Sequence, residues 1–199
     1  MKKLLLSLAL MVAVAAAYGQ GRVNFSNGST TSITTNDFQG HVGNVSGAGL
    51  YTFGLYVGTL GTPEAALQLN ILGTNNALAG RMTAKNGGST SPLAAPWDTG
   101  NAPNTYPLTF QVRGWSTAGG NSYEEALLAQ TSGTPNIYIG KSAIGSVSPT
   151  FSPTLPPAIF GTSGGGAVPG FELSSVPEPS SIALGLLGLG AIALFRRRK

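Results

Sequence analysis

Apolar side chains recur at every second position through most of this chain. Tyr51, Phe53, Leu55 and Val57 alternate with Thr52, Gly54 and Tyr56. Leu67, Leu69 and Ile71 alternate with Gln68 and Asn70, and Leu108, Phe110 and Val112 with Thr109, Gln111 and Arg113. Ile137 and Ile139 flank Tyr138, and Val23 and Phe25 open the series. A period of two puts one set of side chains on one face of an extended strand. Clusters of Gly, Asn, Ser and Thr separate the runs and supply turns. No long helical crossover intervenes, so antiparallel pairing is expected. The pattern predicts an all-β domain, an antiparallel sandwich or barrel.

One segment breaks the alternation. Ser122-Tyr123-Glu124-Glu125 has the form of a capping box, with Ser122 at the N-cap and Glu125 at the third helical position. Ala126 to Ala129 continue a short helix, and Gly133 and Pro135 end it. Beyond Ser142 prolines and glycines accumulate, and residues 164–175, opening Gly164-Gly165-Gly166, read as a flexible linker. Phe160 and Phe171-Glu172-Leu173 are candidates for a last strand.

Both ends depart from this pattern. Lys2 and Lys3, an apolar run from Leu4 to Val14 and small residues after it form a secretory signal peptide over 1–19. Cleavage after Ala17 and cleavage after Gly19 both fit. At the other end stand Val176-Pro177-Glu178-Pro179-Ser180, then 14 apolar or Gly residues from Ile182 to Phe195, then Arg196-Arg197-Arg198-Lys199. Each proline fixes its own φ and biases its predecessor, Val176 or Glu178, toward extended backbone. Ser180 or Ser181 can cap a helix over 182–195. That helix would be about 21 Å long against a bilayer core of about 30 Å. Snorkelling arginines and local thinning close such a gap. The basic cluster should stay cytoplasmic.

This C-terminal arrangement resembles the PEP-CTERM sorting tail of exported bacterial proteins. The resemblance rests on Val176, Pro177, Glu178, Pro179 and Ser180, the Ile182–Phe195 run and the Arg196–Lys199 cluster, in the family's order. It implies recognition by an exosortase, a membrane transpeptidase resembling cysteine peptidases, with cleavage near the motif. It also implies transient anchoring in the inner membrane, and a host that makes exopolysaccharide. Gly49-Leu50-Tyr51, Gly54-Leu55-Tyr56-Val57-Gly58, Gln111-Val112-Arg113-Gly114-Trp115 and Ser122-Tyr123-Glu124-Glu125-Ala126 look like segments of the uncharacterised β-rich domains that often precede such tails. Those segments carry no activity with them.

The termini change the meaning of the charge. The isoelectric point near 9.6 suggests a nucleic-acid binder. Between Tyr18 and Glu178, however, five basic residues face seven acidic ones, a net charge of −2. That leaves no basic footprint for nucleic acid. The chain has no cysteine, so neither disulfides nor thiolate chemistry are open to it. About 160 residues between the termini suffice for one domain with its own core.

Candidate chemistry is sparse. Asp98-Thr99-Gly100 matches the aspartic-protease triplet, but that chemistry needs two facing carboxylates and one triplet occurs. A surface turn explains it better. Glu124 and Glu125 are adjacent and suit cap and dipole duty. His41 is the single histidine and sits in a Gly-rich stretch. Asn36 and Asp37 lack the spacing of a calcium loop. Trp97 and Trp115 are candidates for stacking on a sugar ring, since an exposed indole offers an apolar face and a polar N–H. Packing over a second core layer is the competing role for Trp115.

The expected organisation is a signal peptide at 1–19, a β-rich extracytoplasmic domain at 20–163, a linker at 164–175 and a sorting tail at 176–199. The expected function is that of an exported cell-surface or extracellular-matrix protein, not an enzyme, associated with exopolysaccharide. A carbohydrate-binding module on the same scaffold is the alternative. Expected partners are an exosortase, signal peptidase and the general secretion machinery, the inner membrane and extracellular polysaccharide, with no cofactor or metal.

Overall fold

A computed structural model describes residues 21–38, 41–85, 90–93, 107–150, 154–162 and 166–175. The expected signal peptide at 1–19, Trp97, Asp98-Thr99-Gly100 and Val176–Lys199 lie outside these residues. Eleven strands and one α-helix are present among them: β1 Arg22–Asn24, β2 Thr34–Asn36, β3 Val42–Asn44, β4 Tyr51–Thr59, β5 Gln68–Asn75, β6 Met82–Ala84, β7 Thr90–Pro92, β8 Leu108–Ser116, α1 Tyr123–Thr131, β9 Ile139–Lys141, β10 Gly145–Val147 and β11 Glu172–Ser174.

Nine strands form one sheet in the order β3-β2-β11-β9-β8-β4-β5-β6, with β10 paired to the beginning of β8 on the side that β9 occupies further along. β1 and β7 form a separate antiparallel pair. One rung crosses the whole sheet through Val42, Asn36, Ser174, Ile139, Trp115, Thr52, Thr74 and Thr83. The sheet curls. In the β5–β6 connection Gly80 N donates to Val45 O at 2.8 Å, and Ile33 N donates to Gly80 O at 3.1 Å, which ties one edge back to strands near the other.

The expected strands are present at Tyr51, Leu69, Leu108, Ile139 and Val23, and the structure is mostly β with one helix. Two expectations need correction. The sheet is not wholly antiparallel, because β11 runs parallel to β2. Nor are residues 166–175, the described part of the expected 164–175 linker, free of the fold. Ser146 N donates to Gly166 O at 2.9 Å, Val168 is buried and bridged to Phe160, and Thr34 N donates to Phe171 O at 3.1 Å. β11 then enters the sheet between β2 and β9 with Leu173 fully buried. Phe171 and Leu173 repeat the period-two pattern, and that outweighs the flexibility of the nearby glycines. Gly140 permits the insertion, since a Cβ there would overlap the Glu172 carbonyl.

Phe53, Leu55, Val57, Phe110, Val112 and Leu173 belong to the main core. Phe171 meets Phe53 edge-on, with ring centroids 6.3 Å apart. The opposite face of β8 is covered as well, and all nine of its residues are buried. Over that face α1 encloses a second cluster of Trp115, Ala126 and Ile137. Its N-terminus forms as expected: Ser122 Oγ accepts from Glu125 N at 3.1 Å. The Glu125 carboxylate reaches one residue further back than a capping box requires, to Asn121 N at 2.7 Å. At the other end Gly133 has φ +83°, Gly133 N donates to Gln130 O and Thr134 N to Ala129 O. This is the paired closure that a left-handed glycine makes possible.

If β11 is structural, truncating its core side chain must be costly. Leu173→Ala, in the chain freed of residues 1–19 and 176–199, should lose about 2–5 kcal/mol of stability in urea denaturation. A loss within about 0.5 kcal/mol would return this segment to linker status.

Candidate functional site

The charged residues of the described domain are few, and four of them converge on the outer face of the sheet. Arg113 projects from β8, where alternation sets Gln111, Arg113 and Trp115 opposite the main core. Its guanidinium lies 4.1 Å from the ring centroid of Tyr56 on β4 and 5.6 Å from that of Tyr123 on α1. Nε donates to Gln111 Oε1 at 3.0 Å, Nη1 to Glu124 Oε1 at 3.2 Å and Nη2 to the carbonyl of Glu64 at 2.8 Å. The Glu64 carboxylate, on a 3-10 turn over Glu64–Ala66, accepts from Lys141 Nζ at 2.5 Å. Tyr56 Oη donates to Glu124 Oε2 at 3.3 Å.

Each nitrogen of the Arg113 guanidinium donates to an oxygen, and stacking on Tyr56 covers its face. The hydrogen bond from Lys141 holds the Glu64 carboxyl below its ordinary value. Burial, and then the Glu124 charge, push the Tyr56 phenol up to about 12. Burial also raises Tyr123 and Tyr51. Glu64 is thus held ionised and Tyr56 protonated. Two acids meet two bases, and the assembly joins β4, β8, β9 and α1. Its chemistry is that of a clamp.

The structure places the sequence candidates differently. Trp115 is fully buried under α1, with Nε1 donating to Gly120 O at 3.1 Å and Tyr123 edge-on at 6.4 Å. It cannot stack on a sugar, because helix and tyrosine occupy the space a ligand would need. Trp97, the protease triplet and Val176, Pro177, Glu178, Pro179 and Ser180 lie outside the described residues. Glu125 serves the helix cap. His41 Nδ1 lies 2.6 Å from Asp37 Oδ2 within an exposed turn, and Asn36 Nδ2 donates to Glu172 Oε1 at 3.2 Å. No group of three or more potential metal ligands occurs among the described residues. A shallow open depression of about 420 Å³, lined by Leu60, Thr62, Thr109, Ile144 and Ser146, carries no charged side chain.

Sequence reasoning missed the Arg113 cluster. The signal was available: a charged residue inside a strand of a sparsely charged chain must find partners if its face is covered.

Tyr56 offers a direct test. A phenol whose folded pKa lies above its unfolded value of 10.0 keeps its proton longer in the fold. Its contribution to stability is whole below pH 10 and is lost as the pH rises to about 12. Ultraviolet titration should show one tyrosine ionising near pH 12. Glu124→Gln should lower that value but leave it above 10.0, because burial is the larger cause. Phenylalanine at position 56 should abolish the late step.

What remains for function is the segment after β11. Ser175 N donates to Asn36 O at 3.1 Å, and the motif begins beyond it. Among the described residues no helix is long and apolar enough to cross a membrane. No curated protein and no solved structure matches the chain. The family model of the PEP-CTERM protein-sorting motif matches residues 175–199, and the chain therefore carries the sorting tail of an exosortase substrate.

Proposed function

We propose that this protein is exported, held briefly in the inner membrane by residues 182–195, cut by an exosortase near Val176–Ser180, and delivered to the cell surface or the extracellular matrix. There it acts as a non-catalytic component associated with exopolysaccharide. The observation that carries the reading is the match of the sorting motif to residues 175–199, directly after the last strand. The motif implies export and membrane anchoring through the tail. The described charges support a structural role, since Arg113, Glu64, Glu124 and Lys141 neutralise one another.

The carbohydrate-binding reading loses Trp115 and keeps Trp97. One observation still favours it. Tyr123 is half-buried, and the exposed groups of Glu64, Glu124 and Lys141 stand near it. A ring face beside polar groups suits a sugar. A polysaccharide pull-down with Trp97→Ala and Tyr123→Ala separates the readings: loss of retention in either variant supports a binding module.

Processing has its own test. Mass spectrometry of the extracellular fraction of a native host should find chains lacking the signal peptide and Ile182–Lys199. Chains ending in Arg198-Lys199 would count against exosortase processing. Glu178→Ala, or Pro177 and Pro179 both to Ala, should leave circular dichroism unchanged while the unprocessed form accumulates in the membrane. Normal release of these variants would reduce the motif to a spacer.

A further inference from the structure

The tail leaves the fold at a fixed place. Leu173 is buried in the core, Ser174 O accepts from Gln130 Nε2 at 2.7 Å, and Ser175 N is bonded to Asn36 O. The chain is therefore held to the sheet up to Ser175. Six residues, 176–181, separate it from Ile182, where the apolar run begins. Fully extended they reach about 22 Å at most. A headgroup layer about 6 Å deep takes part of that length. The end of the sheet carrying Ser175 is thus kept within about 22 Å of the start of the apolar run for as long as the tail is intact.

Two apolar side chains are exposed near that end. Ser174 pairs with Asn36 and Asn36 with Val42, so Val42 stands two strands from the tail exit, about 10 Å at ordinary strand spacing. Val42 is 63% exposed, and Phe38, in the connection after β2, is 55% exposed. Phe38 has φ +59°, a conformation rare for a bulky residue, and its N–H is bonded to Asn36 Oδ1 at 2.9 Å. The side chain of β2's last residue thus holds a phenylalanine outward beside the tail. Asp37 and His41 pair beside it, and no lysine or arginine occupies the described part of this hairpin. The chemistry suits insertion among lipid headgroups and upper acyl chains rather than attraction to anionic lipid.

We propose that the β2–β3 hairpin is a second membrane contact of the tethered protein, with Phe38 and Val42 entering the bilayer surface beside the tail. The inference rests on the membrane anchoring read above. It adds an orientation: the β2–β3 end faces the lipid, and the end bearing Leu60 faces away. Leu60 follows Thr59, which pairs with Leu108, about seven residues along β8 from the rung of Trp115 and Ser174. That is about 23 Å along the strand.

The cysteine-free chain makes the test direct. Phe38→Cys, Val42→Cys, Leu60→Cys and Leu187→Cys, each in the chain retaining residues 175–199, take a solvatochromic label. They are reconstituted in phosphatidylcholine vesicles with or without brominated acyl chains, after circular dichroism confirms the fold. Most emission should be lost to bromine at 38, 42 and 187, and none at 60. Quenching at 187 with full emission at 38 and 42 would overturn the proposal and leave the anchor standing. Full emission at 187 as well would remove the anchor and the proposal together. A blue shift at 38 or 42 without quenching would assign the surface to a second copy of the chain, and would also overturn it. Loss of fold in the Phe38 variant leaves Val42, outside the strained turn, to decide.

Discussion

The fold depends on a strand that the ribosome makes last. β11 lies between β2 and β9 and pairs the β2–β3 hairpin into the sheet ladder, with the hydrogen bonds of Gly80 to Ile33 and Val45 as a second tie. A two-stranded hairpin is marginal by itself in water. Without β11 the sheet would present two open edges and expose the core beneath Leu173. Its parallel pairing with β2 joins Thr34 to Glu172 across nearly the whole described chain. The loop closure for that contact comes before any reward from it, which makes it a late step in folding. Domain closure therefore waits for the segment that directly precedes the sorting tail.

The second constraint is coverage of both faces of β8. A sheet with one solvated face needs only alternation, and the strands show it. Once α1 settles over the other face, Gln111, Arg113 and Trp115 lose water and each needs a partner inside the protein. Gln111 gives Nε2 to Ser142 O and takes Arg113 Nε, while Trp115 finds Gly120 O. Gln130 of α1 reaches Ile137 O and Ser174 O, which ties the helix to β11. The polar groups under the helix therefore hold the late strand in place, and helix, clamp and C-terminus form one connected unit.

Much of this was legible in the residues. The period-two runs located β4, β5 and β8, and Ser122-Tyr123-Glu124-Glu125 located the helix start. The sorting tail was legible because its parts are contiguous and each has a single physical meaning: rigid strip, apolar run, basic stop. What failed were inferences about which faces meet. Trp115 was open to sugar stacking and to packing over a second core layer, and burial under the helix takes the second role, because a strand pattern says which residues share a face and not what covers it. Residues 164–175 looked like a linker because three glycines outweighed Phe171 and Leu173 in a composition argument. In the fold glycine has the opposite use: Gly140 lets the Glu172 carbonyl come close. Asn36, which lacks calcium-loop spacing, is a strand residue whose side chain holds Glu172 and the N–H of Phe38.

The join between fold and tail also sets where processing can act. A peptidase takes its substrate as an extended strip with free backbone groups. Glu172, Leu173 and Ser174 are extended, yet they are paired to β2 on one side and contacted by β9 on the other. Releasing them would break the sheet at its centre and expose Leu173. Ser175 is still bonded to Asn36 through its N–H. Beyond Ser175 the sequence carries Pro177 and Pro179, which bias the residues before them toward extension and leave two positions without an N–H for a ladder. All of β11 lies before this motif, so a cut anywhere beyond Ser175 would leave the strand within the domain.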